Sequence, residues 1–294
     1  MFKKILVATD FSKSSHAALA AAISLAEHGA GKVEVIHVSA YGEPYIRGPF
    51  VVPTSSLQAE LQGKLDEFFP ERLYPNSSRH LVIGAPISEE IQKFAEAGSF
   101  DLIVIGTHSR SIVGRVFLGS VAQEVTQDSR IPVMVVRDVD HSERRYQGFE
   151  RVLTPTDFSK TSSKAFALGT SFANFLKADF HYIHVIDVPA ITDSMSLYPF
   201  FHLVMPPESE MNVNLTLQKE LEGIRLIGNP KTITVVGNPV REILAYVEKE
   251  KIDFIVMGTH GRKGVDRFLM GSVAAGVIAK SHVPVITVSS ASTE

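Results

Sequence analysis

The sequence predicts an α/β protein made of two similar domains in tandem, each a five-stranded parallel sheet with helices on both faces. Two observations lead to this prediction. The 294-residue chain repeats itself once, and in each copy short runs rich in Val and Ile alternate with amphipathic segments. Runs that are apolar throughout are typical of parallel strands buried on both faces. Strands that alternate with helices indicate a doubly wound fold.

The repeat is clearest around the first predicted strand of each copy. KKILVATDFSKSSHAAL at 3–19 matches ERVLTPTDFSKTSSKAF at 150–166, so that Asp10 aligns with Asp157. Further matches follow along both copies, including VIHV with YIHV and IPVMVV with VPVITV. We interpret the chain as one duplicated domain of ordinary size.

The predicted boundary between the copies lies in a polar and charged stretch, RDVDHSERRYQGFE. Such a composition is typical of a linker. We predict domain 1 at 1–138, a linker at 139–148 and domain 2 at 149–294.

The elements of the first copy follow in order from these patterns. Strands are predicted at 4–9, 33–38, 80–83, 101–106 and 131–136. Helices are predicted near 13–28, 56–69, 87–97 and 119–128. Ser12 and Ser159 are predicted N-caps, and Gly29 is predicted to end the first helix. Pro86 and Pro239 stand where a helix would begin.

Composition limits the classes of function. The net charge of −3 argues against bulk attraction to nucleic acid or to an anionic membrane. The absence of cysteine excludes thiol catalysis, disulfides and Cys-based zinc sites. No apolar run reaches the length of about eighteen residues that suggests a membrane span, and no signal-peptide core is evident. We expect a cytoplasmic protein. The matching pair His37 and His184 is expected to be structural, and no metal site is predicted.

A glycine-bearing segment follows the fourth predicted strand of each copy. It reads GTHGRKGVDRFLMGS from Gly258 to Ser272, and GTHSRSIVGRVFLGS from Gly106 to Ser120. Glycine lets the backbone approach a phosphate closely, and a helix that begins at the Gly-Ser pair aims its free amides at the same anion. Ligands of doubly wound sheets bind beyond the carboxyl ends of the strands. The loop is therefore predicted to hold phosphate across from Asp157.

The pattern Gly-x2-Gly-x9-Gly-Ser, with Thr-Asp-x-Ser upstream, resembles the universal stress protein family over nearly the whole chain. The second copy matches the pattern fully, with Gly258, Gly261, Gly271 and Ser272. The resemblance implies a sheet of order 3-2-1-4-5 in each domain. It also implies adenine nucleotide binding, since many members bind ATP, whereas others lack the loop and do not.

The resemblance implies residue roles as well. Asp157 would contact the ribose or the adenine, and the backbone around Val185 would line the adenine pocket. The domain 2 candidates are Pro155, Thr156, Asp157, Val185, Met257, Gly258, His260, Gly261, Arg262, Gly271, Ser272 and Val273. The domain 1 counterparts, expected to bind less well, are Ala8, Thr9, Asp10, Val38, Gly106, Ser109, Gly119, Ser120 and Val121.

The first copy departs from the family pattern at two positions. Ser109 replaces the second glycine, and Ala8 stands where the second copy has Pro155. If the position of Ser109 needs a positive φ, a side chain there costs about 1 kcal/mol or more. If it needs only close approach to a phosphate, a serine is small and can donate a hydrogen bond. The sequence leaves both explanations open.

The predicted function is regulatory or signalling binding of ATP, ADP or AMP, with or without Mg²⁺, mainly in domain 2. A first alternative is a slow ATPase, although the chain has neither a P-loop nor a nucleophile elbow and no catalytic residue is predicted. A second alternative is a scaffold that holds an apolar or lipid-like ligand in domain 2, where 188–214 is rich in aromatic residues and Met.

The last strand of each copy is predicted to be a sheet edge. The runs at 131–136 and 283–288 are apolar, and an open apolar edge invites pairing. They would pair within one chain, as a pseudo-dimer, or between chains in a homodimer.

Overall fold

The computed structural model describes the greater part of the chain. The described residues are 2–29, 31–40, 45–47, 50–52, 54–70, 77–107, 111–112, 115–116, 118–138, 148–187, 207–261 and 270–292. They divide into two compact units. The first unit comprises Met1–Gln147 together with Pro284–Glu294, and the second comprises Gly148–Val283.

Strands and helices alternate along the chain, as the repeat predicts. The strands are β1 (Lys4–Ala8), β2 (Lys32–Ser39), β3 (Tyr45–Arg47), β4 (Phe50–Val52), β5 (Arg79–Ile83), β6 (Leu102–Thr107), β7 (Ser111–Ile112), β8 (Arg115–Val116), β9 (Val133–Arg137), β10 (Arg151–Thr156), β11 (Asp179–Asp187), β12 (Pro230–Gly237), β13 (Phe254–Gly258) and β14 (Val285–Val288). The helices are α1 (Lys13–Gly29), α2 (Thr54–Phe68), α3 (Ile87–Ala97), α4 (Ser120–Asp128), α5 (Lys160–Leu176), α6 (Pro207–Leu221), α7 (Pro239–Lys249) and α8 (Ser272–Lys280). The predicted elements of the first copy agree with these bounds to within a residue or two.

The main sheet of the first unit has the order β5-β2-β1-β6-β9, with all of these strands parallel. Counted along the repeat, this order is 3-2-1-4-5. In the second unit, the strands β12-β11-β10-β13 are also parallel and follow the same order, 3-2-1-4, for the first four strands of the repeat. The predicted fold class is therefore confirmed. The short antiparallel pairs β3–β4 and β7–β8 were not predicted.

The fifth strand of the second repeat, β14, belongs by its contacts to the first unit. It pairs antiparallel with β9, with Ile286 opposite Met134. The Thr287 hydroxyl donates to the Val133 carbonyl at 3.1 Å, and the Ser289 hydroxyl donates to the Ser129 carbonyl at 2.6 Å. The two runs predicted as sheet edges thus pair with each other within one chain.

Several helix ends have the residues that the sequence predicts there. The Ser159 hydroxyl accepts the Ser162 amide at 3.2 Å and caps α5. Helix α1 ends at Gly29, α3 begins after Pro86, and α7 begins at Pro239. Among the described residues, no helix is both long and apolar enough to cross a bilayer.

Helix α6 begins within the segment 188–214, which the sequence shows to be rich in aromatic residues and Met, and 188–206 lies outside the described residues. Polar groups attach this helix to the sheet. The Tyr182 hydroxyl donates to the Glu220 carboxylate, and the Thr234 hydroxyl donates to the Asn214 side-chain oxygen at 2.7 Å. Burial, reinforced by Glu220, raises the pKa of Tyr182 and keeps its hydroxyl protonated. Met211 and Leu215 on the same helix are exposed.

Aligned positions in the two repeats carry different buried titratable residues. The first repeat has an acidic residue, Glu34, and the second has a basic residue, His181. Glu34 forms ion pairs with Lys32 at 3.0 Å and with Lys4 at 3.5 Å, and its other oxygen lies 2.7 Å from Nε2 of His80. Burial acts to raise the pKa of Glu34, but these partners outweigh it and hold the pKa below its ordinary value.

His181 has a different environment. Its side chain is fully buried, and Nδ1 lies 2.9 Å from the Tyr246 hydroxyl. Burial lowers the pKa of His181 to about 4. The imidazole is therefore neutral at pH 7, and folding disfavours its protonation.

The lower pKa of His181 in the folded state predicts that stability depends on pH. The unfolded chain binds a proton at His181 near pH 6.5, whereas the folded chain does so only near pH 4. Stability should therefore fall by about 2 to 3 kcal/mol as the pH drops through this window, and this contribution should level off below it. Urea unfolding of the wild type and His181→Gln from pH 7 to pH 4 measures the effect. Equal slopes for the two proteins would contradict the assignment.

Candidate functional site

The candidate site of the second unit begins at the turn between β10 and α5. Thr156 ends the buried strand, and Asp157 and Phe158 follow it. The Phe158 amide donates to the Thr156 hydroxyl at 3.0 Å, and the Ser159 amide donates to Oδ1 of Asp157 at 3.1 Å. The turn therefore holds one oxygen of the Asp157 carboxylate against the start of α5.

The first repeat builds the same turn. The Phe11 amide donates to the Thr9 hydroxyl at 2.9 Å, and the Ser12 amide donates to Oδ1 of Asp10 at 3.1 Å. Ser15 adds a bond from its hydroxyl to the same oxygen at 2.6 Å. The aspartate half of the candidate site is thus present in both copies.

The phenylalanine of this turn has a left-handed backbone in both repeats, with φ of 64° at Phe11 and 60° at Phe158. This conformation costs a non-glycine residue about 1 to 2 kcal/mol. Nothing in the amino-acid type predicts it, since phenylalanine is not a turn residue. The only sequence signal is that Thr-Asp-Phe-Ser occurs in both copies.

A histidine of the neighbouring strand supports each of these phenylalanines. The rings of Phe158 and His184 lie 4.7 Å apart, and Nδ1 of His184 lies 2.8 Å from the Thr156 carbonyl. The rings of Phe11 and His37 lie 4.4 Å apart, and Nδ1 of His37 lies 2.8 Å from the Thr9 carbonyl. Because a carbonyl only accepts, Nδ1 donates in both cases. Burial lowers the pKa of His37, consistent with a neutral donor. These contacts support the predicted structural role of both histidines.

The first glycine of each loop is explained by packing. A Cβ on Gly106 would lie 2.4 Å from the carbonyl carbon and oxygen of Ser14. A Cβ on Gly258 would lie 3.0 Å from the carbonyl carbon of Thr161. These glycines let the fourth strand lie against the first helix of its repeat, which accounts for them without a ligand.

The second glycine, Gly261, lies against the aspartate. A Cβ there would come within 2.6 Å of Oδ2 of Asp157. Its φ is outside the left-handed region that favours glycine. A positive φ therefore does not explain this glycine. A side chain here would displace the Asp157 carboxylate, and close approach to a phosphate stays a prediction. Ser109, the aligned residue, lies outside the described residues.

The third glycine brings the loop to the start of α8. The Gly271 amide donates to the Thr259 carbonyl at 2.8 Å, and a Cβ on Gly271 would lie 3.8 Å from the Gly261 nitrogen. No described side chain caps this helix. The amides of Ser272 and Val273 precede its first intrahelical bond, from Ala275 to Gly271, and donate to no carbonyl within the part of the chain that is described. Helix α4 also lacks a side-chain cap at Gly119, beside Ser120 and Val121.

His260 links these parts. The Ser159 hydroxyl donates to its carbonyl at 3.4 Å, and its Nδ1 lies 2.8 Å from the Thr259 hydroxyl. The side chain is 9% exposed, and Nε2 has no hydrogen-bond partner within the part of the chain that is described. The contact from Ser159 to this loop was not foreseen from the sequence.

The remaining candidates lie around this arrangement or outside the described residues. Pro155 and Met257 are buried in their strands, and Val185 is half-buried in β11. Ala8 and Val38 are buried at the corresponding positions of the first unit. Arg262, like Ser109, falls among the residues that are not described. Within the described ranges, no group of three His, Asp or Glu side chains could hold a metal ion.

Comparison with known proteins identifies the family. The model of the universal stress protein family matches twice, at residues 1–137 and 148–289. The chain belongs to the universal stress protein family. The two matches show this universal stress protein to be a tandem member, and membership gives it a stress-associated function at the level of the family.

Individual relatives match one repeat or the whole chain. A universal stress protein of Methanocaldococcus jannaschii is 34% identical over 155 residues, covering 48% of this chain and 94% of the relative. One from Thermus aquaticus is 37% identical over 141 residues, covering 47% of this chain and all of the relative. The crystal structure of a universal stress protein from Archaeoglobus fulgidus has a TM-score of 0.68 at 23% identity. It covers 98% of this chain and 99% of its own. That last likeness shows the fold alone.

Proposed function

We propose that this universal stress protein binds an adenine nucleotide in its second repeat and that occupancy has a regulatory role. ATP is the expected ligand, with ADP and AMP as related ones. The ribose would lie at Asp157, and the phosphates would lie between Gly261 and the start of α8 at Gly271 and Ser272.

One observation supports this proposal, namely that the Asp157 carboxylate, Gly261 and the start of α8 lie together. The Asp157 carboxylate, an acceptor for hydroxyl groups, lies against Gly261. Gly261 in turn lies beside the start of α8, where the first-turn amides and the helix dipole favour an anion. A ligand with a hydroxyl-bearing sugar and a phosphate chain suits both ends of this arrangement.

The proposal is binding rather than catalysis. Phosphoryl transfer depends on a positioned metal and on a group that orients the nucleophile. Asp157 already accepts the Ser159 amide and supports the turn, which fits a binding role. The slow ATPase remains the alternative that the experiment has to separate.

Calorimetric titration of the full chain with ATP and Mg²⁺ tests the proposal. We expect about one nucleotide per chain. Asp157→Ala should weaken binding by about tenfold or more, because a charge-assisted hydrogen bond is lost. Asp10→Ala, the matched change in the first repeat, should alter affinity by less than about threefold.

Two results would contradict the proposal. One is the absence of binding heat, together with no nucleotide carried through purification in native mass spectrometry. The other is an equal loss of affinity from the two aspartate variants. Phosphate release that depends on Asp157 would favour the ATPase instead.

A further inference from the structure

We propose that Phe158 and His184 are positioning residues, which lock the turn that directs the Asp157 carboxylate toward Gly261. The inference rests on the proposed nucleotide site for its functional meaning. The geometry that carries it lies in the described part of the second repeat, and the first repeat has the same turn.

Thr156 is held by hydrogen bonds at both its hydroxyl and its carbonyl. Its hydroxyl accepts the Phe158 amide at 3.0 Å, and its carbonyl accepts Nδ1–H of His184 at 2.8 Å. The two rings lie 4.7 Å apart with an interplanar angle of 31°. Phe158 and His184 therefore contact each other through their rings, and both donate hydrogen bonds to Thr156.

The backbone of Phe158 is strained. A left-handed φ at a bulky residue persists only where its surroundings determine it, and such residues cluster at functional sites. Here the φ of 60° at Phe158 accompanies the bond from the Ser159 amide to Oδ1 of Asp157. That bond fixes the carboxylate with Oδ2 against Gly261. If Phe158 relaxed to an ordinary φ, the Ser159 amide would turn away and the carboxylate would lose this hydrogen bond.

The first repeat has the same strained conformation. Phe11 has a φ of 64°, and its ring lies 4.4 Å from that of His37 at the same angle of 31°. The two repeats differ at most other positions, so retention of this costly conformation in both indicates a shared requirement. Phe11 also supplies an internal control for the effect of the side chain on folding.

The experiment first examines the ligand-free protein. Carboxyl-¹³C aspartate labelling resolves Asp157, which Asp157→Asn identifies by loss of its signal. Phe158→Ala should move the Asp157 resonance, whereas Phe158→Tyr, which keeps the ring, should leave it in place. Phe11→Ala should move Asp10 and not Asp157. His184→Gln keeps a donor near Thr156 and removes the ring, and serves as the second variant if Phe158→Ala unfolds.

The second arm measures ATP affinity. We expect Phe158→Ala to weaken binding by about tenfold, which corresponds to about 1.4 kcal/mol. In the Asp157→Ala background the same change should add less than about twofold, because the residue acts through the carboxylate. Phe11→Ala should leave the affinity unchanged.

An unmoved Asp157 resonance in both Phe158→Ala and His184→Gln overturns the inference, whatever the nucleotide does. The inference is also overturned if Phe158→Ala and Asp157→Ala each weaken ATP binding and their effects multiply in the double variant. If the wild type binds no ATP but the resonances move as expected, the positioning role stands and the proposed function fails.

Discussion

Serine in place of Gly261 should reduce the ATP affinity of the full chain by about tenfold or more, an effect as large as removing Asp157 itself. A Cβ at this position would lie 2.6 Å from Oδ2 of Asp157, closer than two such atoms can approach. The least costly relief is rotation of the carboxylate away from the loop, which removes the group proposed to hold the sugar. Stability should fall by only about 1 kcal/mol, the order of one lost hydrogen bond, because the rotation weakens the bond from the Ser159 amide. Calorimetry and urea unfolding together measure both effects.

The reciprocal change provides the control. Ser109→Gly restores the second loop glycine in a repeat whose aspartate turn is already formed, with the Ser12 amide on Oδ1 of Asp10. We expect the number of nucleotides bound per chain to rise from about one to about two. If Gly261→Ser bound ATP as tightly as the wild type, the glycine would not be needed for close contact with the Asp157 carboxylate. An unchanged stoichiometry in Ser109→Gly would place the block at another difference, such as Ala8.

Aspartate in place of Ile286 should destabilise the first unit by about 3 to 5 kcal/mol, although the change lies near the end of the chain. Ile286 is fully buried and lies opposite Met134 of β9. A carboxylate there would have no ionic partner among the apolar strands. Hydrogen exchange should show the loss in β9 and β6 rather than in β11 and β12, because β14 belongs to the first unit.

The control for this change is Ala291→Asp, which adds the same charge five residues later at an exposed position. We expect it to alter stability by less than about 0.5 kcal/mol. Exchange that increases first in β11 would contradict the pairing of β14 with β9. A loss equal to that of the control would show that Ile286 is not in a packed core.

Much of the fold could be predicted from sequence because its determinants are local or repeated. Runs such as KILVA in β1 are buried almost throughout, so they lack the alternation of a half-exposed strand and indicate a parallel sheet. Ser159 and Pro239 mark helix starts through local chemistry that sequence displays directly. The partner of β14 could not be predicted, because either run could have paired within the chain or between chains.

The candidate site was only partly predictable, and the reason lies in contacts distant in sequence. The glycine pattern and Asp157 were found because they recur at fixed spacing in both repeats. The different packing roles of the glycines could not be predicted. Gly258 packs against α5 and Gly261 against Asp157, and both contacts join residues about a hundred positions apart in sequence. The left-handed Phe158 contradicts its own propensity, and tertiary contacts with His184 decide its conformation.

The position of β14 has a consequence for synthesis of the protein. Strand β9 ends at Arg137, whereas its partner begins at Val285. At about 5 to 20 residues per second, the ribosome needs roughly 7 to 30 seconds to reach that partner. Throughout this interval the nascent first unit has an unpaired side on β9, open to an identical strand on a neighbouring chain. Translation of the second repeat therefore also sets how long the first must wait before its sheet is complete.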